Sequence, residues 1–293
     1  MQTTKTDVMK VPGASLHYEV RGAGPALLLI CGGVYDADGY GPLGRHLAQS
    51  YTVVTYDRRG NSRSPLDGPP GPQSIEVHAD DAHRVLSAVG VDENEPAHVF
   101  GNSSGAMIGL ELAARHPDQV RTLVAHEPPL FELLPNRDHW RAAIRNVEET
   151  FARDGAGAAM QVLEAAFADS GDRTADREGR MPGGEEAPQG EPDPETMAMM
   201  ARLQKNMEFF IGHEVPSFNT YVPDLSALRV SPTRIVTAVG EASEGEAPYR
   251  AAFALAERLG TPPEVFPGDH GGFGALPEAF AARLKEVLSA VRP

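Results

Sequence analysis

Apolar positions along the chain keep two rhythms. Short apolar runs at Ala26–Ile30 (ALLLI), Tyr51–Tyr56 and Arg234–Val239 (RIVTAV) are what strands covered on both faces of a parallel sheet look like. Helical spacing fills the intervals, at roughly 38–49, 73–89 and 247–259. Near the start, Leu16, Tyr18 and Val20 alternate with polar residues. With the turn at Pro12-Gly13 they predict an antiparallel edge hairpin over 6–20. Further strands are expected at Arg121–Ala125 and Glu264–Phe266. A last helix runs from about Pro277 to Val291, with proline tolerated in its first turn. Strands alternating with helices predict an α/β fold, a mostly parallel central sheet flanked by helices on both faces.

The alternation stops at Pro129 and resumes near Arg234. In between, Asp138–Phe151, Gly155–Phe167 and Glu195–Ile211 have apolar residues at helical spacing. Ser170–Pro194 is rich in Gly, Pro, Asp and Glu and has too little apolar surface to order itself, so a flexible loop is expected there. The organisation that follows is a core made of residues 1–129 and 230–293. A helical cap over 130–229, with a flexible acidic loop near 170–194, is inserted after the sixth strand.

Composition narrows the partners. The 293 residues are 41% hydrophobic and 23% charged, with a formal net charge of −15. Such acidity argues against nucleic acid or an anionic membrane as a partner. A single cysteine, Cys31, rules out an intrachain disulfide. The opening MQTTKTDVMK has no apolar core of signal-peptide length, and no run approaches ~20 apolar residues. These features lead to the expectation of a cytoplasmic enzyme, monomeric or homodimeric, acting on a small molecule. His-x-x-x-His spacing and paired cysteines are absent, so no metal site is expected, nor any cofactor.

The candidate chemistry centres on Ala97–His116. Val99 and Phe100 end a short apolar run, Gly101-Asn102-Ser103-Ser104-Gly105 turns, and Ala106 to Ala114 continues at helical spacing. Strand, tight G-x-S-x-G turn and helix together make a nucleophile elbow, which lifts the Ser103 hydroxyl above the sheet. The small residues at 101 and 105 let helix and strand pass closely. The Ser104 N–H then stands at a helix start, where a developing oxyanion is stabilised. A serine hydroxyl also needs a base to take its proton.

Four landmarks in order make the chain resemble the α/β-hydrolases over nearly its whole length: Cys31-Gly32-Gly33 after the third strand, Asp57-x-Arg59-Gly60-x-Ser62-x-Ser64 after the fourth, the elbow, and Gly268-Asp269-His270 near the end. Cys31 stands where the family's oxyanion loop has histidine. Cys31 itself, ending a buried strand with no histidine expected beside it, reads as structural. The resemblance implies His270 as the base and the backbone amides of Gly33 and Ser104 as the oxyanion hole. Asp57, Arg59 and Ser64 are expected to tie a loop near the site, and His126 to be a packing or supporting residue beside it.

The triad acid is the departure. In most relatives an Asp lies three residues after the glycine closing the seventh strand. Here that position is Ser243, which cannot hold the charge that stabilises an imidazolium. Glu241 and Glu244 lie near the usual place. Glu127 stands at the end of the sixth strand, a variant acid position in this fold, at a spacing similar to that of fungal zearalenone lactonases. Flanked by Pro128 and Pro129 it would be rigidly held, and it is the preferred acid. In the cap, Trp140, Met207 and Phe210 are the expected substrate-binding residues, lining an apolar pocket between cap and sheet.

The reading is a cofactor-free serine hydrolase cleaving an ester or lactone of a fairly hydrophobic molecule. The alternatives are a C–C bond hydrolase or a lyase, cyclase or haloperoxidase-like enzyme using the same site, and a non-catalytic ligand-binding protein on the same fold.

Overall fold

The computed structural model describes residues 4–168 and 194–290. The expected acidic loop falls outside these residues, apart from Pro194. Eight strands form one sheet: β1 (Lys5–Val11), β2 (Ala14–Gly22), β3 (Ala26–Ile30), β4 (Thr52–Tyr56), β5 (Ala97–Asn102), β6 (Val120–His126), β7 (Arg234–Gly240) and β8 (Glu264–Phe266). Their spatial order is β1-β2-β4-β3-β5-β6-β7-β8. The first two strands pair antiparallel, as the hairpin pattern predicts, and β2 runs antiparallel to β4. All other pairs are parallel.

Helices cover both faces. They are α1 (Gly41–Leu47), α2 (Ile75–Ala88), α3 (Ser104–Arg115), α9 (Ala247–Leu259), α10 (Gly272–Ala275) and α11 (Pro277–Ser289) around the sheet, and α4 (Arg137–Asp154), α5 (Ala156–Ala168), α6 (Pro194–Phe209), α7 (Val215–Phe218) and α8 (Leu225–Val230) between β6 and β7. Alternate strand residues feed opposite cores. Leu28, Ile30, Val54, Val99 and Leu123 join one cluster, while Leu27, Leu29, Val53, Phe100 and Val124 join the other. This two-sided burial is why β3 and β4 read as unbroken apolar runs. Among the described residues no helix is long and apolar enough to cross a membrane.

Two elements depart from their expected shape. The helix expected at 38–49 is split into a 3₁₀ turn, Ala37–Tyr40, and α1. Pro42 lies in the first turn of α1, where its missing N–H costs nothing. The helix expected to end at Ile211 instead passes through a π-helical turn, Phe210–Glu214, into α7. Pro216 there has no N–H to give the preceding turn, and the His213 carbonyl takes the Gln73 N–H at 2.9 Å.

The insertion has its own small core, in which Ile144, Val147, Ala159, Leu163, Ile211 and Val215 are buried. Polar side chains join it to the loops after β3 and β4. Arg58 pairs with Glu214 at 2.6 Å, both side chains fully buried. Asn61 donates to the other Glu214 oxygen at 3.1 Å. Asn206 accepts from the Ser62 N–H at 2.8 Å and donates to the Val34 carbonyl at 2.9 Å.

Candidate active site

The order of strands puts a switch point between β3 and β5, because β4 lies to one side of β3 and β5 to the other. In open α/β sheets ligands bind beyond the strand ends at such a point. The loop after β3 and the turn after β5 meet there.

Ser103 follows β5 directly, with φ 55° and ψ −126°. That backbone geometry is uncommon for a residue with a side chain and is held by its surroundings. The Ser103 N–H donates to the His126 carbonyl at 2.9 Å. The flanking glycines are required by close approach: a Cβ on Gly101 would lie 2.4 Å from the Gly105 carbonyl oxygen, and one on Gly105 would lie 2.1 Å from the Ile30 oxygen.

Glu127 follows β6 just as Ser103 follows β5, since Asn102 and His126 are partners in the parallel register. It too has positive φ, 47°, and its N–H donates to the Ala238 carbonyl at 2.9 Å. Its fully buried carboxylate is aimed by two partners. Oε1 accepts the Gly240 N–H at 2.8 Å, and Oε2 lies 2.6 Å from Nδ1 of His270. Burial pushes this carboxyl toward the neutral form. The His270 hydrogen bond and charge, His126 and the Gly240 N–H outweigh that and hold it well below the usual carboxylate range.

His270 lies after β8, with its side chain 29% exposed. Burial presses its pKa down, but the Glu127 hydrogen bond and charge, with Glu246 and Asp269 nearby, raise it above the ordinary histidine value. Asn102 binds the loop from below: its Nδ2 donates to the His270 carbonyl at 3.0 Å and lies 3.1 Å from Nδ1 of His126. Burial lowers the pKa of His126 to about 4, so its ring is neutral near pH 7. It sits edge-on to Phe266 and Phe280.

The rival acids lie elsewhere. Glu241 is exposed and accepts the Gly268 N–H at 3.3 Å. Glu244 is also exposed, and Ser243 is buried with its hydroxyl unpartnered. In the loop after β3, Gly33 has φ 54° and its N–H donates to Ser104 Oγ at 3.0 Å. Cys31 is buried, its thiol donating to the Asp36 carbonyl; burial raises its pKa well above the ordinary value. Asp57 accepts from the Ala37 N–H and from Arg63. Arg59 grips Asp81 with two bonds at 2.6 and 2.7 Å, and Ser64 links the Asp57 carbonyl to the His17 N–H.

A model of the alpha/beta hydrolase fold matches residues 25–225. The chain belongs to the alpha/beta-hydrolase family. It is 38% identical over 291 residues to the uncharacterized hydrolase YraK of Bacillus subtilis (strain 168), covering 98% of this chain and 97% of that one. Among solved structures, a thermophilic esterase from Thermogutta terrifontis superposes with a TM-score of 0.69 at 18% identity, covering 98% of each chain. The enol-lactonase from Burkholderia xenovorans LB400 gives 0.67 at 17% identity, covering 97% of this chain and 100% of that one. At such identities the two structures speak for the fold alone.

In this alpha/beta hydrolase the insertion residues expected to touch substrate stand differently from the residues at the strand ends. Trp140 is 2% exposed and stacked on Phe131 with ring centroids 4.2 Å apart. It lines a cavity of about 240 Å³ with Arg141, Ile144 and Pro216, and none of Ser103, Glu127 or His270 lines that cavity. Met207 and Phe210 are partly buried against the insertion's own core. The sequence pointed to no role for Asn102, Arg58 or Asn206. The adjacent arginines of Asp57-Arg58-Arg59 were the available signal, two cations on a loop with little room to expose both. Their partners lie too far along the chain for spacing to find.

Proposed function

We propose that the protein is a serine hydrolase that cleaves a carboxylic ester or lactone of a fairly hydrophobic small molecule through an acyl-enzyme. The observation that supports this most is the 2.6 Å contact between Glu127 Oε2 and His270 Nδ1, with the other carboxylate oxygen held by the Gly240 N–H. With Nδ1 engaged, Nε2 is the nitrogen left for the Ser103 proton.

Ser103 Oγ attacks the carbonyl carbon while His270 takes its proton. The carbonyl electron pair moves onto oxygen, where the Ser104 N–H and the Gly33 loop stabilise it. Collapse expels the alcohol, or opens the lactone, with the proton returned from His270. Water then repeats the sequence on the acyl-enzyme and releases the acid. Glu127 keeps the ring in its productive tautomer and stabilises the imidazolium without itself taking the proton. The helical insertion serves as a cap that shapes the substrate pocket. The esterase and lactonase among the structural neighbours are compatible with this chemistry.

The test is turnover of short-chain nitrophenyl esters and labelling by a fluorophosphonate probe. Wild type is expected to do both, and Ser103→Ala neither. Absence of labelling in correctly folded wild type would overturn the reading.

A further inference from the structure

The loop donor of the oxyanion hole is already engaged. The Gly33 N–H donates to Ser104 Oγ at 3.0 Å, and Ser104 is 3% exposed. That oxygen accepts one bond, while its own hydrogen has no acceptor among the described residues. A buried hydroxyl that receives an amide hydrogen bond is polarised by it and becomes a stronger donor.

The surroundings keep this arrangement in place. Gly32 packs hard on the elbow, where a Cβ would lie 2.8 Å from Ser103 Cβ and 2.4 Å from the Asn102 carbonyl oxygen. Arg58 Nη2 holds the Gly33 carbonyl at 2.5 Å, and Nη1 of the same guanidinium is fixed by buried Glu214. Turning the Gly33 N–H away from Ser104 would therefore disturb a loop braced on both sides. The space beyond Gly33 is open, with nothing within 4 Å of where its Cβ would be.

We propose that the second oxyanion donor is the Ser104 hydroxyl, polarised by the Gly33 N–H. Ser104 then presents both its N–H and its O–H to the substrate oxygen, and Gly33 acts through it. The inference rests on the acyl-enzyme reading above and changes one part of it, the identity of the second donor. As Ser103 Oγ bonds to carbon, the electron pair moves to the carbonyl oxygen and the two Ser104 donors bond to it. No proton passes to or from Ser104, and the pair returns to carbon when the leaving group departs. One residue that donates from backbone and side chain to one anion repeats how helix starts bind phosphate. Here the anion forms only in the transition state, which is where a donor accelerates reaction.

The experiment compares wild type, S104A and S104C with p-nitrophenyl butyrate, a fluorophosphonate probe and a trifluoromethyl ketone, alongside thermal midpoints. S104A is expected to lose about 10²-fold in kcat, the usual effect of removing one oxyanion donor, with KM little changed and the ketone weakened in step. S104C, similar in shape but a weak donor, falls between the two. The thiol variant also covers the case of an alanine variant that does not fold. If Gly33 donates directly, S104A frees its N–H, and kcat holds or rises. Labelling of S104A at the wild-type rate would likewise overturn the proposal while leaving the acyl-enzyme reading intact. A folded wild type that neither labels nor turns over ester overturns both.

Discussion

The proposed catalytic residues and the seam beneath the insertion are held by different means. Ser103, Glu127 and His270 are placed by backbone. Strand register sets Asn102 beside His126 and His126 beside Ala238, and main-chain bonds from Ser103 and Glu127 lock the next residue of each strand. The seam is held by long side chains reaching across it: Arg58 to Glu214, Arg202 to Asp36 and Asp38, and Asn206 to Ser62. A strand inside a sheet cannot slip by one residue without turning every side chain to the other face, whereas side-chain bridges break singly. On the proposed function, the difference would separate chemistry, which tolerates little movement, from access, which would depend on how the insertion sits.

Breaking the first region should have the largest effect. Glu127→Gln keeps the shape of the side chain but removes the charge and lets the amide present its donor to His270. Loss of the proposed orienting acid is expected to lower kcat by about 10⁴-fold, with the far-ultraviolet spectrum unchanged, in steady-state assays with a nitrophenyl ester. Glu241→Gln, on an exposed carboxylate bonded to Gly268, should leave kcat near wild type. The reverse outcome would move the acid to the loop after β7.

The seam offers the next largest effect, on stability. Glu214→Ala leaves the fully buried Arg58 without its counter-ion and Asn61 without an acceptor. Removing one partner of such a pair costs about 3–5 kcal/mol, which denaturant titration would read as a lower midpoint. The folded enzyme should lose far less kcat than Glu127→Gln does. Equal losses in the two variants would mean that the seam and the strand ends are not separable.

The two regions were also unequally legible in the sequence. ALLLI and RIVTAV announce doubly covered strands, because every side chain on such a strand meets a helix layer. The elbow is local, five consecutive residues whose small members are demanded by contacts of 2.1–2.4 Å, so it can be read without knowing the rest of the fold. The place of Glu127 beside the elbow was legible because the family's strand order puts the end of β6 next to β5, and Pro128-Pro129 marks the strand's stop. The seam was opaque. Glu214 points at Arg58 from 156 residues away, and a π-helical turn that no apolar period signals brings it there. Trp140 illustrates the same limit: its large ring does line a cavity, but the place of that cavity, away from Ser103, Glu127 and His270, depends on Phe131 and on how the insertion's helices lie against one another.

The pH profile sharpens the comparison from the side of the strand ends. In the proposed mechanism His270 must be neutral to take a proton, and its pKa is raised above the ordinary 6.5 by Glu127 despite burial. The kcat/KM of wild type should therefore rise with pH and reach half its plateau above pH 6.5. In Glu127→Gln, burial remains and the nearest negative charge is gone, so the acidic limb of the residual activity should move down. The same linkage acts on the fold with fixed sign. The raised His270 pKa contributes stability present below 6.5 and lost as pH climbs through the folded value. A limb that stays in place in Glu127→Gln would detach His270 from the activity.

The smallest effect should come from the outer part of the seam. Arg202 is 29% exposed, bonding Asp36 at 3.2 Å and Asp38 at 2.8 Å. A half-exposed bridge is screened by water and salt and contributes about 0.2–1 kcal/mol, so Arg202→Ala should barely shift the unfolding midpoint, and less at high salt. Its kinetic effect is the more telling one. Asp36 follows Gly33 in the loop after β3 and also accepts the Ser62 hydroxyl at 2.8 Å, so the loop keeps an anchor when Arg202 is lost. If the seam governs access and the strand ends govern chemistry, Arg202→Ala raises KM modestly and leaves kcat alone. A fall in kcat with KM unchanged would show that the bridge reaches the reacting atoms through the loop, and the division between the two regions would fail at its weakest bond.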